Sequence, residues 1–236
     1  MKISKNTLSL LSSFTVVNNS IVVNRGNVLA TVNTGKEKNN LIKALNTFMV
    51  RVEVPETFAT DFTIGDLKRF LAVIATFDDP DFDFQYNCVV ISEKNQSINY
   101  KYTSSNIIKA PITDSVPYTE TWAEFIIDAK TISTLKKIST TMRHDDLYIR
   151  TVDGKVEIVL TTTNQGTDAN ENEYIINTDK ETAKDFIVKA SMTLFTGIIT
   201  AKDEYSLKVV FNGGNNFIVL EGLGDTKIFY YIACKR

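Results

Sequence analysis

Four aspartates fall within six positions, Asp78, Asp79, Asp81 and Asp83, a density of carboxylate oxygens that could hold a hard divalent cation. Their setting argues against a metal site, because the run follows an apolar helical stripe, contains Pro80 and has neither His nor Cys beside it. That is the composition of a solvated loop. His144 is the only histidine, so a histidine metal cluster and a Ser-His-Asp triad both lack members, and this residue is expected to cap the exit of the helix before it. Gly213-Gly214 and Gly222-Leu223-Gly224 lie between strand-like runs rather than between a strand and a helix. They read as turns, not phosphate cradles, and no Walker-type lysine motif is present. Cys88 and Cys234 each sit in an apolar run, as buried thiols of a reducing compartment would. No catalytic residue, metal or cofactor is expected.

The remaining candidates are cations on helical faces. Lys5 lies with Ser9, Ser12 and Val16 opposite an apolar stripe, and Lys2 precedes it. Lys68 and Arg69 occupy a second helix, partly offset by Asp66. On a third, Lys136 and Lys137 oppose Ile132, Leu135 and Ile138, with Lys130 near one end and Arg143 just past the other. Residues 1–18 hold two basic and no acidic residues, and residues 128–143 hold four basic and one acidic, although the whole chain has 26 Lys and Arg against 28 Asp and Glu, a net charge of −2. The acidic excess therefore lies elsewhere. Taken alone, lysines on amphipathic helices are solvated-face residues. With 43% hydrophobic residues, the composition is that of a globular protein, neither a strongly basic free-standing DNA binder nor a disordered chain.

The elements that would position these cations follow from periodicity. Ser4 is expected to cap a helix in which Leu8, Leu11 and Phe14 stand at offsets of four, seven and ten, one apolar stripe. Ile21 and Val23, the turn Arg25-Gly26-Asn27 and the run 28–32 then read as a β-hairpin. Residues 35–40 read as a polar turn or mobile loop, and residues 41–54 as a strand stopped by Pro55. Thr63 is expected to cap the second helix, with Leu67, Phe70 and Val73 at the same three offsets. Strands at 84–92 and 97–103 follow, joined by Glu93-Lys94-Asn95-Gln96. The proline-bearing stretch 107–121 has no period and reads as a connector.

Beyond it the pattern restarts: a strand at 122–127, a helix capped by Asp128 with Ile132, Leu135 and Ile138 at those offsets, then a hairpin around Asp153-Gly154. A polar loop at 163–173, strands at 174–177 and 185–190, a short fourth helix at 191–201 and strands at 205–211, 217–223 and 227–233 complete the reading. The 236 residues thus form an α+β internal duplication: a domain at 1–106, a connector at 107–121 and a domain at 122–236, each domain with two helices packed on antiparallel sheets. No apolar run reaches membrane-spanning length and no secretory leader is evident, so no membrane partner and a cytoplasmic location are expected. Antiparallel sheets leave edges, and a head-to-tail contact between unlike edges closes into a ring.

The blocks MKISKNTLSLLSSF, SIVVNRG, IGDLKRFLAVIATFDD, PITDSVPY and IDAKTISTLKKIS, ahead of LYIRTVDGKVEIV, occur in this order along nearly the whole chain. Their order, with the matching length, resembles the sliding clamps of T-even-type tailed phages. The resemblance implies the DNA-clamp fold and a non-enzymatic processivity factor: a homotrimeric ring of six similar domains that encircles duplex DNA without reading sequence and tethers the replicative DNA polymerase in the infected bacterial cytoplasm. It implies a separate clamp-loader ATPase, and it raises phage transcription factors as further partners. Lys2, Lys5, Lys68, Arg69, Lys130, Lys136, Lys137 and Arg143 become candidates to face DNA, with the helices lining the hole. Ile108, Pro111, Ile112, Val116, Pro117 and Tyr118 become candidates to line a groove for partner peptides, against the alternative that they pin the connector to the domain cores. A ring-forming structural virion protein is the other reading of duplicated β domains.

Overall fold

A computed structural model of the chain describes residues 1–33, 48–111, 115–162, 172–192, 195, 199 and 203–234. It divides into one unit of Met1–Thr34 with Met49–Asp114 and a second of Gly35–Phe48 with Ser115–Arg236.

In the first unit the Ser4 hydroxyl accepts from the Thr7 N–H and starts α1, Lys5–Val17, satisfying a donor that the first helical turn leaves open. Thr7, Leu11, Phe14 and Val17 are buried along one stripe, and Leu8 is only half-buried. Strands β1 (Ile21–Val23), β2 (Gly26–Val32), β3 (Phe48–Phe58) and β4 (Phe62–Ile64) follow. The expected hairpin between β1 and β2 does not form: β1 pairs with β4 and β2 with β3, both antiparallel. The chain does not reverse between them: β1 and β2 follow one another against β4 and β3, and at the junction the Arg25 N–H donates to Asp61 Oδ1 at 2.6 Å, tying the turn before β2 to the turn before β4.

Pro55 does not stop β3, contrary to expectation. The register shifts between Gly26↔Phe58 and Val28↔Glu53, so the proline lies in an irregular stretch where no ladder donor is required of it. Helix α2, Leu67–Ile74, is capped by Asp66 and not by Thr63; Thr63 belongs to β4 and its hydroxyl donates to the Thr103 carbonyl. The buried residues of α2 are accordingly Leu67, Phe70 and Ile74, and Val73 is half-buried. The expected strand at 84–92 is two strands, β5 (Asp81–Phe84) and β6 (Cys88–Glu93), which with β7 (Gln96–Lys101) make a meander in the order β5-β6-β7.

The second unit holds β8 (Glu120–Ile127), α3 (Ala129–Met142), β9 (Asp146–Val152), β10 (Lys155–Thr161), β11 (Tyr174–Glu181), β12 (Ile187–Ser191), β13 (Tyr205–Asn212), β14 (Asn215–Gly222) and β15 (Ile228–Ala233). Its antiparallel strands run β11-β10-β9-β12 in one sheet and β15-β14-β13-β8 in another. Asp153 and Gly154 at φ 50° and 77° make the two-residue turn between β9 and β10, the left-handed pair that matches strand twist. Asp128 caps α3 through the Thr131 N–H at 2.7 Å. At its exit Arg143 takes φ 56°, the His144 N–H donates to the Ser139 carbonyl at 2.9 Å and the Ser139 hydroxyl donates to the His144 carbonyl at 2.8 Å. The expected fourth helix lies mostly outside the described residues; Met192, Phe195 and Ile199 are buried.

Apolar burial on the inner helix faces holds these helices in place. Phe14 is 0% exposed, so Phe14→Ala is expected to cost about 3–5 kcal/mol through forfeited transfer energy and a residual cavity. The check is a lower denaturant midpoint for the first unit at unchanged m-value.

Candidate nucleic-acid interface

Once its apolar stripe is buried, α1 turns Lys5, Ser9, Ser12 and Val16 to solvent, all exposed. Its start is pinned by Glu56 of β3. One carboxylate oxygen accepts from the Ser4 N–H at 2.5 Å and the other from the Thr7 hydroxyl at 2.7 Å. Burial pushes this carboxyl upward, but the hydrogen bonds from Thr7 and Ser4 outweigh it and hold Glu56 below its usual value of 4.5. A carboxyl with a depressed folded-state pKa stabilises the fold above its unfolded pKa, and that stability is lost as pH falls through the folded value. The wild-type protein is therefore expected to lose stability more steeply than Glu56→Gln on acidification below about pH 4.5, measured as the midpoint of urea unfolding against pH.

Helix α2 is locked to the chain leaving α1. The Asn19 carbonyl accepts from the Leu67 N–H at 2.7 Å, and its side-chain oxygen accepts from the Lys68 N–H at 2.9 Å. The Asn19 amide also donates to Asp66 at 3.0 Å. Lys68 and Arg69 are both exposed in the first turn of α2, where the helix dipole disfavours cations. Asp66 compensates: the Arg69 N–H, the Asn19 amide and the adjacent Arg69 and Lys68 charges keep it ionised. This double cap was missed in the sequence, although an Asn-Asn pair after one helix and an Asp before the next were its visible signal.

Lys2 does not present a free cation. Its ammonium donates to the Asp79 carbonyl at 2.6 Å and lies 2.9 Å and 3.4 Å from the Asp79 and Asp81 carboxylates, and the hydrogen bond to Asp79 raises its pKa. The aspartate run thus holds a lysine. Among the described residues no group of three or more acidic, His or Cys side chains is arranged to hold a metal.

Helix α3 buries Ile132, Leu135 and Ser139 and turns out Lys130, Ser133, Lys137, Thr140 and Thr141, all exposed. Lys137 has no ion-pair partner among the described residues. Lys136 departs from the expectation that it shares the outward face: it is half-buried and its ammonium donates to the Ile199 carbonyl. Burial lowers its pKa. One residue is about 100° of helix rotation, enough to separate an outward lysine from a flanking one. Arg143 is exposed at the left-handed C-cap, where a cation is favoured by the dipole although a non-glycine residue there costs about 1 kcal/mol. His144 is buried, with Nδ1 3.3 Å from the Thr162 hydroxyl.

Of the candidate groove residues, Ile108 and Pro111 are half-buried in the first unit, after a 3-10 turn at Ser105–Ile107. Val116 is half-buried and Pro117 and Tyr118 are exposed in the second, where the Asn212 amide donates to the Pro117 carbonyl at 2.7 Å. Ile112 lies outside the described residues. A cleft of about 430 Å³ in the second unit, lined by residues including Trp122, Arg150, Asp185 and Phe186, was not expected. Trp122 stacks on Phe211 at 5.3 Å, and Arg150 is engaged by Glu157 and Glu173, each at 3.2 Å.

No family model matches the chain. It is 26% identical over 166 residues to the sliding clamp of Vibrio phage KVP40, across 69% of this chain and 71% of that protein. Among solved structures, it is similar to the Proliferating Cellular Nuclear Antigen of Entamoeba histolytica, at TM-score 0.66 and 13% identity, covering 97% of this chain and 94% of that one. The corresponding protein of Thermococcus kodakaraensis gives TM-score 0.67 at 11% identity over 98% and 96% of the two chains. The DNA polymerase III β chain of Streptococcus pneumoniae gives 0.65 at 14% identity, over 97% of this chain and 63% of that one. At these identities the solved structures show a shared fold.

Proposed function

We propose that this chain, which is similar to a phage sliding clamp and shares the DNA-clamp fold, forms a homotrimeric ring that encircles duplex DNA and tethers the replicative polymerase without catalysing a reaction. The observation that carries this reading is the charge distribution on α1 and α3. Lys5, Lys130, Lys137 and Arg143 are exposed, α1 and α3 contain no acidic residue, and Asp128 ahead of α3 is held as its N-cap. Such a face attracts phosphate without donor and acceptor groups arranged for base readout, as a protein that must slide requires. Lys68 and Arg69 add to it, damped by Asp66; Lys2 and Lys136 do not, since each is spent on an internal partner.

Ring closure requires two unlike free edges. Strand β7 is the last of its meander and is exposed along most of its length, and β11 is the outer strand of its sheet. Each exposes one isoleucine, Ile98 at 38% and Ile175 at 44%. Pairing β7 of one protomer with β11 of the next would bury both. The two domains at 1–106 and 122–236, the connector at 107–121 with its peptide-binding role, a separate loader ATPase and action in the host cytoplasm belong to the same proposal. One protein of similar fold, A. fulgidus PCNA, is bound to the C-terminal region of FEN-1, which supports peptide docking as a mode of partner recruitment here.

The test is mass in solution. The proposal expects a particle of three times the 26.5 kDa chain; a monomer or dimer at all concentrations contradicts it. A virion protein could also form a ring, but it would not be retained on circular DNA.

A further inference from the structure

The outward faces of α1 and α3 carry hydroxyls as well as cations, and they are distributed alike in the two units. Ser9 stands five residues after the cap Ser4, and Ser133 five after the cap Asp128. Ser9 and Ser12 continue the line of Lys5 along α1, and Ser133 lies between Lys130 and Lys137 on α3.

Several other hydroxyls of these helices are committed internally. Ser13 donates to the Leu10 carbonyl at 2.7 Å, Thr15 to Ser12 at 2.8 Å, and Thr134 and Thr140 to Lys130 and Lys136, each at 2.9 Å. That is the usual fate of a hydroxyl within a helix. Ser9, Ser12 and Ser133 are exposed and make no hydrogen bond through their side chains among the described residues. Each therefore keeps a donor available beside an ammonium, on a face whose charge fits a polyanion.

We propose that Ser9, Ser12 and Ser133 contact DNA phosphates, donating neutral hydrogen bonds between the charged contacts of Lys5, Lys130 and Lys137. This rests on the clamp reading and adds to it a division of labour. A lysine displaces condensed counterions when it meets a phosphate, so its contribution falls as salt rises, with a slope of about 0.9 per neutralised phosphate in log affinity against log salt. A serine displaces none, so its contribution is independent of salt. Each neutral bond merely replaces one to water and is weak, which lets the bonds exchange as the ring moves along the duplex.

The test is fluorescence anisotropy with a short labelled linear duplex, titrated with the full-length protein across a salt series. Three proteins are compared: wild type, Ser9→Ala/Ser12→Ala/Ser133→Ala, and Lys130→Ala/Lys137→Ala. Alanine is a stronger helix former than serine, and the assembly mass of each variant is checked first. The serine variant is expected to bind about threefold to tenfold more weakly at every salt concentration with an unchanged slope. The lysine variant is expected to flatten the slope by about 0.9 for each phosphate that no longer meets an ammonium. A serine variant that matches wild type throughout, or that flattens the slope, overturns the inference while a salt-dependent wild type leaves the clamp reading intact. A wild type without measurable binding at low salt overturns the inference of direct phosphate contacts, whereas the clamp reading is overturned instead by failure of retention on circular DNA.

Discussion

Replacing Lys130 and Lys137 together by glutamate is expected to abolish retention on closed circular DNA while leaving the assembly mass unchanged. Both side chains are exposed on α3, and neither contributes to the buried stripe of Ile132 and Leu135. Each substitution exchanges a positive for a negative charge on a helix that itself contains no acidic residue, and in the proposed ring the change is repeated in every protomer. Reversal also places carboxylates against phosphates, so the effect exceeds that of neutral substitution. Retention is read by gel filtration of DNA-bound protein after loading, and mass by light scattering. Lys136→Glu is the informative contrast. It sets a carboxylate against the Ile199 carbonyl where an ammonium now donates, and is expected to destabilise the second unit by about 1–3 kcal/mol, seen as a lower melting temperature.

A second large effect is expected at the strand edges. Ile175→Asp on β11, or Ile98→Asp on β7, should convert the assembly to single chains of 26.5 kDa. Both isoleucines are exposed in the isolated chain, so aspartate there costs the fold little. In a paired edge the same carboxylate would be desolvated without a partner, a penalty of several kcal/mol at each interface. An inward-pointing charge on an edge strand is also the means by which proteins prevent edge pairing. Circular dichroism should show the fold retained, which separates ring opening from unfolding. If both variants remain trimeric, the subunit interface lies elsewhere.

The parts of this fold that were legible in the sequence are those set by neighbours along the chain. Ser4 and Asp128 cap α1 and α3 as their positions indicated, because an N-cap needs only an oxygen two or three residues before a free N–H. Asp153-Gly154 makes its turn because both residues tolerate a left-handed backbone. The departures are those set from far away. β1 pairs with β4 rather than β2, with Arg25 tied to Asp61 at the junction, and α2 is capped by Asp66 with Asn19 joining the cap from the end of α1. The same division runs through the interface. Helical period placed Lys5, Lys130 and Lys137 on outward faces, but Lys2 meets Asp79 and Asp81 across a separation of 77 residues to the first of them. Lys136 meets Ile199, 63 residues away. No local pattern announces either partner.

The central claim is that this protein holds DNA by surrounding it. The direct measurement loads the protein, with its loader and ATP, onto nicked circular duplex, isolates the complex, and then cuts the circle once with a restriction enzyme. Topological binding predicts that the protein stays on the intact circle and is released when the circle is linearised, as it slides off the new ends. Continued retention on the linear product with unblocked ends would contradict it.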